Sequence, residues 1–335
     1  MHLRELSPHA IVLAPIPGDA MPPATSIACL HHFARKSTLV LMLLVLSFSR
    51  ALCAQTAPDW TEPFAPFRIA GNLYYIGTVG LASYLIVTPQ GNILINSDLE
   101  ANVPMLEASI EKLGFKFKDT KILLISHAHF DHDAGSAKIK QLTGAAYMVM
   151  DADVPVVESG GRADFQYGNR PEFLYPPAKV DRVLHDGEQV KLGGTMLVAH
   201  LTPGHTKGCT TWTMQVTDGG KAYNVVIVGS PNVNPGYKLI DNPAYPAIAD
   251  DYARMFRVLK SLPCDVFLGA HGEYFGLEQK YARLQKEGVL TGAKSGRQNP
   301  FIDPVGYQKF VSEKQQEFQA ELAKQSAEPH KLGRL

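Results

Sequence analysis

Residues 127–132 read His-Ala-His-Phe-Asp-His and follow a short apolar segment that is typical of a buried strand. Zinc and similar cations prefer imidazole nitrogen and carboxylate oxygen as ligands. Alternate side chains of an extended chain point the same way, so His127 and His129 can bind one ion, and Asp131 and His132 can face a second ion beyond the turn. The spacing therefore predicts a catalytic metal site rather than a solvated polar loop.

Two further histidines fit this pattern. His205 lies in Thr-Pro-Gly-His-Thr and His271 in Leu-Gly-Ala-His-Gly, each directly after an apolar strand-like segment. Functional side chains often follow strands, because a rigid sheet delivers them to a common cleft. By contrast, His185, His200 and His330 have no neighbouring ligands in the sequence, and His200 is predicted to be an ordinary strand residue.

The elements that must position these histidines are strands followed by helices, an order that occurs twice along the sequence. The pattern predicts an α/β fold in which two such halves pack sheet on sheet, with helices outside. No linker rich in Gly, Ser or Pro divides the halves, so residues 55–325 are predicted to form one domain, followed by a disordered tail at 326–335. Strands are expected at 72–77, 82–88, 92–96, 121–126, 145–150, 180–185, 188–192, 195–201, 209–217, 223–229 and 265–269, and helices at 100–113, 133–143, 247–261, 276–287 and 305–323, with a short helix after Asp151.

Two long segments between these elements are either binding loops or plain surface loops. Residues 159–179 are rich in aromatic side chains, and residues 230–246 are rich in proline. The aromatic residues of the first loop, candidates for an apolar wall beside the metal site, are Phe165, Tyr167, Phe173 and Tyr175.

Residues 1–54 have the order of a secretory leader: basic residues, a short apolar run, and small residues before Ala54. The apolar run is too short for a permanent membrane anchor, so we expect export to the periplasm with no membrane anchor after cleavage. The initiating methionine is open, with Met21 as an alternative. Cys209 and Cys264 then remain, either as a disulfide or as buried free thiols.

The charges exclude one class of partner. The chain has 32 basic and 32 acidic side chains, and no basic stripe with interleaved aromatic residues. Nucleic acid binding is therefore not expected.

The three histidine motifs together resemble the metallo-β-lactamase superfamily over about residues 68–287. The resemblance implies a four-layer αββα sandwich with two zinc ions. It assigns His127, His129 and His205 to the first ion and Asp131, His132 and His271 to the second.

The residues after the strand at 223–229 indicate which branch of the superfamily the chain resembles. Thioesterases and lactonases of the superfamily have a bridging carboxylate there, and class B1 enzymes have a cysteine, whereas this chain has Gly229-Ser230. With His132 present, the chain is similar to the subclass B3 metallo-β-lactamases. It lacks a cysteine downstream of Cys264, so the late disulfide of some members cannot form.

The resemblance implies hydrolysis of penicillins, cephalosporins or carbapenems by a zinc-bound hydroxide in a monomeric enzyme. Asp131 would orient that hydroxide, and Ser230 and Asn234 would bind substrate or water, beside Phe165 and Tyr167. Two alternatives stay open: another zinc hydrolase of the same fold, acting on thioesters, lactones or phosphoesters, and a non-enzymatic exported zinc-binding protein.

Overall fold

Two mixed β-sheets lie at the centre of the fold, in a computed structural model that describes residues 58–286 and 298–327. The first half of the chain forms a seven-stranded sheet, in which each strand neighbours the next along the chain. The second half forms a five-stranded sheet of order β12-β11-β10-β9-β8. The strands are β1 (Phe67–Ala70), β2 (Leu73–Tyr75), β3 (Tyr84–Thr88), β4 (Gly91–Ile95), β5 (Thr120–Leu124), β6 (Ala146–Met150), β7 (Arg182–Leu184), β8 (Gln189–Leu192), β9 (Thr195–Leu201), β10 (Thr210–Asp218), β11 (Lys221–Val228) and β12 (Val266–Gly269).

Helices cover the outer faces, which confirms the predicted αββα sandwich. On β4, Ile93 and Ile95 belong to the core that both sheets share, while Leu94 between them packs into the core beneath the outer helices. A strand that is buried on both faces reads as a continuous apolar run, as this one does. The α-helices of the described residues are α1 (Val103–Lys112), α2 (Phe130–Asp133), α3 (Ser136–Thr143), α4 (Val154–Glu158), α5 (Ile248–Ser261), α6 (Leu277–Lys286) and α7 (Pro304–Ala327).

In the second sheet, the strands that precede candidate site residues all end on the same side of the sheet. β9 and β11 both run antiparallel to β10, and β12 runs parallel to β11. Three strands therefore share one direction, and the residues that follow them, His205, Ser230 and His271, come out at the same edge.

Hydrogen bonds join the two sheets at this edge. The backbone N–H of Thr210 donates to the carbonyl of Ser126 at 2.7 Å, and the indole N–H of Trp212 donates to the carbonyl of Ile125 at 3.0 Å. On the other side, the Tyr84 hydroxyl donates to the carbonyl of Gly269 at 2.6 Å. The first two bonds hold the residues just after β5, and with them the histidine run, against the second sheet, and the third holds β3 against the end of β12.

The sequence predictions differ from the structure at a few boundaries. The helix expected at 133–143 is two helices, α2 and α3, and β1 was not predicted. The last helix continues to Ala327, so the expected tail at 326–335 begins too early, and its remainder, from residue 328, lies outside the described residues. The predicted leader, 1–54, also lies outside them. Within the described residues, no helix is both long and apolar enough to cross a membrane.

Replacing Trp212 with phenylalanine tests the connection between the sheets. We expect Trp212→Phe to lower the free energy of unfolding by about 2–4 kcal/mol, because it removes buried volume and leaves the carbonyl of Ile125 without its donor. Urea unfolding of the metal-free protein measures this loss. Met214→Leu, a change of similar volume on the same buried strand, is the control and should cost less than about 1.5 kcal/mol. Equal losses in the two variants would contradict this role of the indole N–H.

Candidate metal centre

Three imidazoles meet where the first sheet contacts the second. The ring centroids of His127, His129 and His205 lie 4.7–4.8 Å apart in every pairing. One ligand atom from each residue lies within 4.8 Å of the others, and all three residues are buried. The structure therefore brings the predicted ligands of the first ion together.

The predicted ligands of the second ion lie directly beside this group. His132 Nε2 is 3.1 Å from both His271 Nε2 and Asp131 Oδ2, and the last two atoms are 3.6 Å apart. The rings of His127 and His132 are 4.3 Å apart, so the two groups adjoin. All six predicted ligands thus lie in one continuous cluster.

The hydrogen bonds of the ring nitrogens fit a metal site. Nδ1–H of His205 donates to the carbonyl of Asn232 at 2.8 Å, which leaves Nε2 with a lone pair. His127 Nδ1 contacts the Ser126 hydroxyl at 3.1 Å, while its buried Nε2 has no hydrogen-bond partner. Since an unpaired buried nitrogen is costly, a cation at this point would satisfy it. The donor set, imidazoles with one carboxylate, fits zinc.

Burial disfavours the protonated form of His127, His205 and His271 and so leaves them able to bind a cation. Desolvation, followed by the charges of neighbouring imidazoles, holds the pKa of His127 well below its usual value, and desolvation does the same for His205. For His271, desolvation and the nearby His132 lower the pKa to about 4. Burial alone would raise the pKa of Asp131, but His132 and His271 outweigh it and lower that pKa, so the carboxylate is ionised.

Local backbone geometry presents the ligands. His129 has an extended backbone and precedes α2, so His132 lies on the first turn of a helix rather than in an open loop. Before His205, Gly204 has φ of +132°, which favours glycine, and a Cβ there would lie 2.7 Å from the ring of Tyr252. Glycine at this position lets the chain pass close to that ring and turn into the cluster.

Asp153, which sequence reasoning missed, joins the two ligand-bearing loops. Its carboxylate accepts hydrogen bonds from Ala128 N–H at 3.0 Å, Thr206 Oγ1–H at 2.8 Å and Gly208 N–H at 2.8 Å. Both carboxylate oxygens therefore face donors, and the side chain is almost fully buried. The preceding strand gave the only sequence signal, since Asp153 lies just beyond the end of β6.

A cavity of about 660 Å³ opens beside the cluster. Its walls include ligands of both ions, together with Tyr167, Phe173 and Tyr175 from the predicted aromatic loop. Phe165, which the sequence also places in this wall, does not line the cavity, because its ring packs against Tyr237 and Tyr245 instead.

The two predicted polar contacts differ in position. Asn234 lines the cavity, and its amide donates to the Tyr167 hydroxyl at 3.0 Å. Ser230 is buried and does not line it, but its hydroxyl lies 3.1 Å from that of Tyr274, a lining residue that also accepts a hydrogen bond from Asn232. Tyr274 was not identified from the sequence, where a single tyrosine after Gly272-Glu273 carries no signal.

The remaining histidine and cysteine predictions have simple outcomes. His200 lies on β9 with its Nε2 2.8 Å from Thr213 Oγ1, as expected for an ordinary strand residue. Of the two alternatives for the cysteines, free thiols are observed: Cys209 is buried and Cys264 is partly buried.

Replacing Asp153 with asparagine tests its role in holding the ligands. In Asp153→Asn an amide N–H₂ must face a donor, so we expect the loops to separate and zinc affinity to fall about 10–100-fold. Competition with a chromophoric chelator measures this affinity. The control is Asp151→Asn, an exposed carboxylate two residues earlier. If both variants bind zinc equally well, Asp153 does not position the ligands.

Comparisons with known proteins agree with the fold and the cluster. Residues 77–271 match the model of the metallo-beta-lactamase superfamily. Among curated proteins, a probable metallo-hydrolase of Burkholderia pseudomallei is 29% identical over 141 residues, which are 41% of this chain and 45% of that protein. The chain thus spans about half the length of that curated relative.

Solved structures match over greater lengths. Native FEZ-1 metallo-beta-lactamase from Legionella gormanii is 61% identical with a TM-score of 0.76, over 80% of this chain and 98% of that one. BJP-1 of Bradyrhizobium japonicum, a subclass B3 metallo-beta-lactamase, is 39% identical with a TM-score of 0.73, over 81% and 98%. LRA-12, a class B3 di-zinc enzyme from an Alaskan soil metagenome, is 37% identical with the same TM-score, over 80% and 98%. The chain belongs to the metallo-β-lactamase superfamily and, within it, to subclass B3.

Proposed function

We propose that this protein hydrolyses the amide bond of β-lactam antibiotics, namely penicillins, cephalosporins and carbapenems, with two zinc ions as cofactors. The observation that carries the proposal is the cluster of six ligands in two adjoining groups, beside a cavity with aromatic walls. The residues after β11 also support it, because Gly229-Ser230 supplies no bridging carboxylate of the kind that thioesterases and lactonases use.

The residues divide between the two ions as the resemblance implied. His127, His129 and His205 would hold the first ion. Asp131, His132 and His271 would hold the second. When bound, zinc supplies a Lewis acid for the amide carbonyl and lowers the pKa of water towards neutrality, so that no serine or cysteine nucleophile is needed.

Asp131 has the central role among the protein groups. A carboxylate has two oxygens, so Asp131 can give one to the metal and accept a hydrogen bond from the attacking water with the other. Water adds to the carbonyl carbon, the C–N bond of the ring breaks, and the ring nitrogen takes up a proton. The buried, ionised state of Asp131 supports this orienting role.

Polar and aromatic groups of the cavity would position the substrate. Asn234 is placed to hydrogen-bond the substrate, and Ser230 is placed to act through the hydroxyl of Tyr274. The described lining contains no lysine or arginine, so these neutral groups and the metal would receive the substrate carboxylate. Tyr167 and Phe173, whose rings stack 4.6 Å apart, form an apolar wall for the ring substituents.

The biological setting follows from the leader and the charges. We propose that residues 1–54 direct export to the periplasm, that the mature protein acts as a monomer, and that residues 55–325 form its single catalytic domain. The small-molecule substrate needs no second subunit, since all six ligands come from one chain. Sedimentation of the purified protein tests the monomeric state.

A carbapenem assay tests the proposed activity. We expect the zinc-loaded protein to hydrolyse the β-lactam ring, a chelator to abolish hydrolysis, and added zinc to restore it, since the metal supplies the Lewis acid. Inhibitors that acylate a catalytic serine should have no effect. Loss of the ultraviolet absorbance of the ring measures the rate. Full zinc loading without hydrolysis of any penicillin, cephalosporin or carbapenem would contradict the proposal, and turnover of a thioester, lactone or phosphoester would then identify another zinc hydrolase of the same fold.

Removal of single polar groups tests substrate positioning. We expect Asn234→Ala to raise KM about tenfold with little change in kcat, because it removes a binding contact worth about 1.4 kcal/mol. Ser230→Ala and Tyr274→Phe should each raise KM in the same direction. Steady-state kinetics with one cephalosporin measures both constants. Asn169→Ala, an exposed change in the same aromatic loop, should match the wild type. A fall in kcat with unchanged KM would rule out a pure binding role.

A further inference from the structure

A second carboxylate, Asp164, reaches the metal centre without belonging to either group of ligands. It lines the cavity, yet its side chain is only 3% exposed. Its Oδ2 is buried, has no hydrogen-bond partner, and lies 3.6 Å from Nε2 of His129, which is also buried and unpartnered. Two unpaired polar atoms that face each other at this distance need a small approach to form a hydrogen bond.

The other oxygen of Asp164 has a separate task. Oδ1 accepts hydrogen bonds from the backbone N–H groups of Gln166 at 2.8 Å and Tyr167 at 2.6 Å. This turn fixes the carboxylate at the start of the aromatic loop, so Oδ2 is held towards His129 by the backbone. The two backbone hydrogen bonds to Oδ1 therefore restrict rotation of the Asp164 side chain and fix the position of Oδ2.

The ring nitrogen of His129 that faces Asp164 determines which of its two ring nitrogens can bind a metal. A neutral imidazole carries one proton, and the nitrogen that donates to a carboxylate leaves the other with its lone pair. Nε2 of His129 faces Asp164, so Nδ1 is the nitrogen left for a cation. Burial opposes protonation of His129, but the nearby carboxylate of Asp164 outweighs it and raises the pKa of His129, which agrees with the close approach of the two groups.

We propose that Asp164 is a positioning residue: it accepts a hydrogen bond from Nε2–H of His129 and so fixes the tautomer in which Nδ1 binds the first zinc ion. Ligating histidines commonly donate their other N–H to a carboxylate, which orients the ring and strengthens it as a ligand. The inference rests on the zinc site of the proposed function. Asp164 also connects that site to the aromatic loop, because one side chain holds both.

Asp164→Asn provides the sharpest test. The amide oxygen can still accept from Gln166 and Tyr167, so the turn is kept, but an N–H₂ group replaces the oxygen that faces His129. That group favours the opposite tautomer, with the proton on Nδ1. The control is Asp250→Asn, which removes an equal charge from an exposed position on α5. Asp164→Ala removes both the hydrogen bonds of the turn and the contact with His129, so its comparison with Asp164→Asn separates the two roles.

Three measurements on the full protein decide the outcome: zinc affinity by chelator competition, the absorption spectrum of the Co²⁺-substituted protein, and the Tm of the metal-free protein. We expect Asp164→Asn to weaken zinc binding about 10–100-fold and to alter the Co²⁺ spectrum, with an unchanged metal-free Tm. Only Asp164→Ala should also lower the metal-free Tm.

Two results would overturn the inference. Zinc affinity and a Co²⁺ spectrum equal to those of Asp250→Asn would show that Asp164 does not orient His129. A metal-free Tm that falls in Asp164→Asn as much as in Asp164→Ala would show a structural role only. These results are independent of the substrate, because a zinc-loaded wild type that hydrolyses no β-lactam contradicts the proposed function and leaves the comparison of affinities intact.

Discussion

The hydrogen-bonded connection between the two sheets is the constraint on which the rest of the structure depends. Four of the candidate ligands follow β5 in the first sheet, and the other two follow β9 and β12 in the second. They meet only because Thr210 N–H binds the carbonyl of Ser126 and Tyr84 binds that of Gly269, at the edge where these strands end. A slip of one residue in the pairing of β9 or β12 with its neighbouring strand would reverse the faces of its side chains and shift the loop that carries the histidine.

The cluster is costly to the metal-free protein. Several imidazoles and one ionised carboxylate are buried together, and buried polar atoms such as His127 Nε2 are left without partners. Groups outside the cavity lining hold the cluster together despite this cost. Among them is the carboxylate of Asp153, which accepts three hydrogen bonds from two loops. Metal binding removes the unpaired state, so stability and zinc affinity are coupled.

The sequence predicted what is local and periodic. The meeting of the six candidate ligands, the paired sheets and most element positions could be predicted from strand-like runs that end in histidine motifs. Contacts between distant segments could not: Asp153, Asp164 and Tyr274 act through neighbours far along the chain, and their own sequence surroundings are ordinary. Phe165 shows the same limit, because the sequence of an aromatic loop does not indicate which ring turns into the core and which faces the cavity.

The division of the ligands between the sheets also bears on the order of assembly. Four of the six lie within residues 127–132, and so the first half of the chain carries a partial binding motif before the second half is made. That half alone lacks His205 and His271, and it therefore cannot complete either coordination set. A complete two-ion site thus requires that the two halves have docked, and a bound pair of ions reports that docking has taken place.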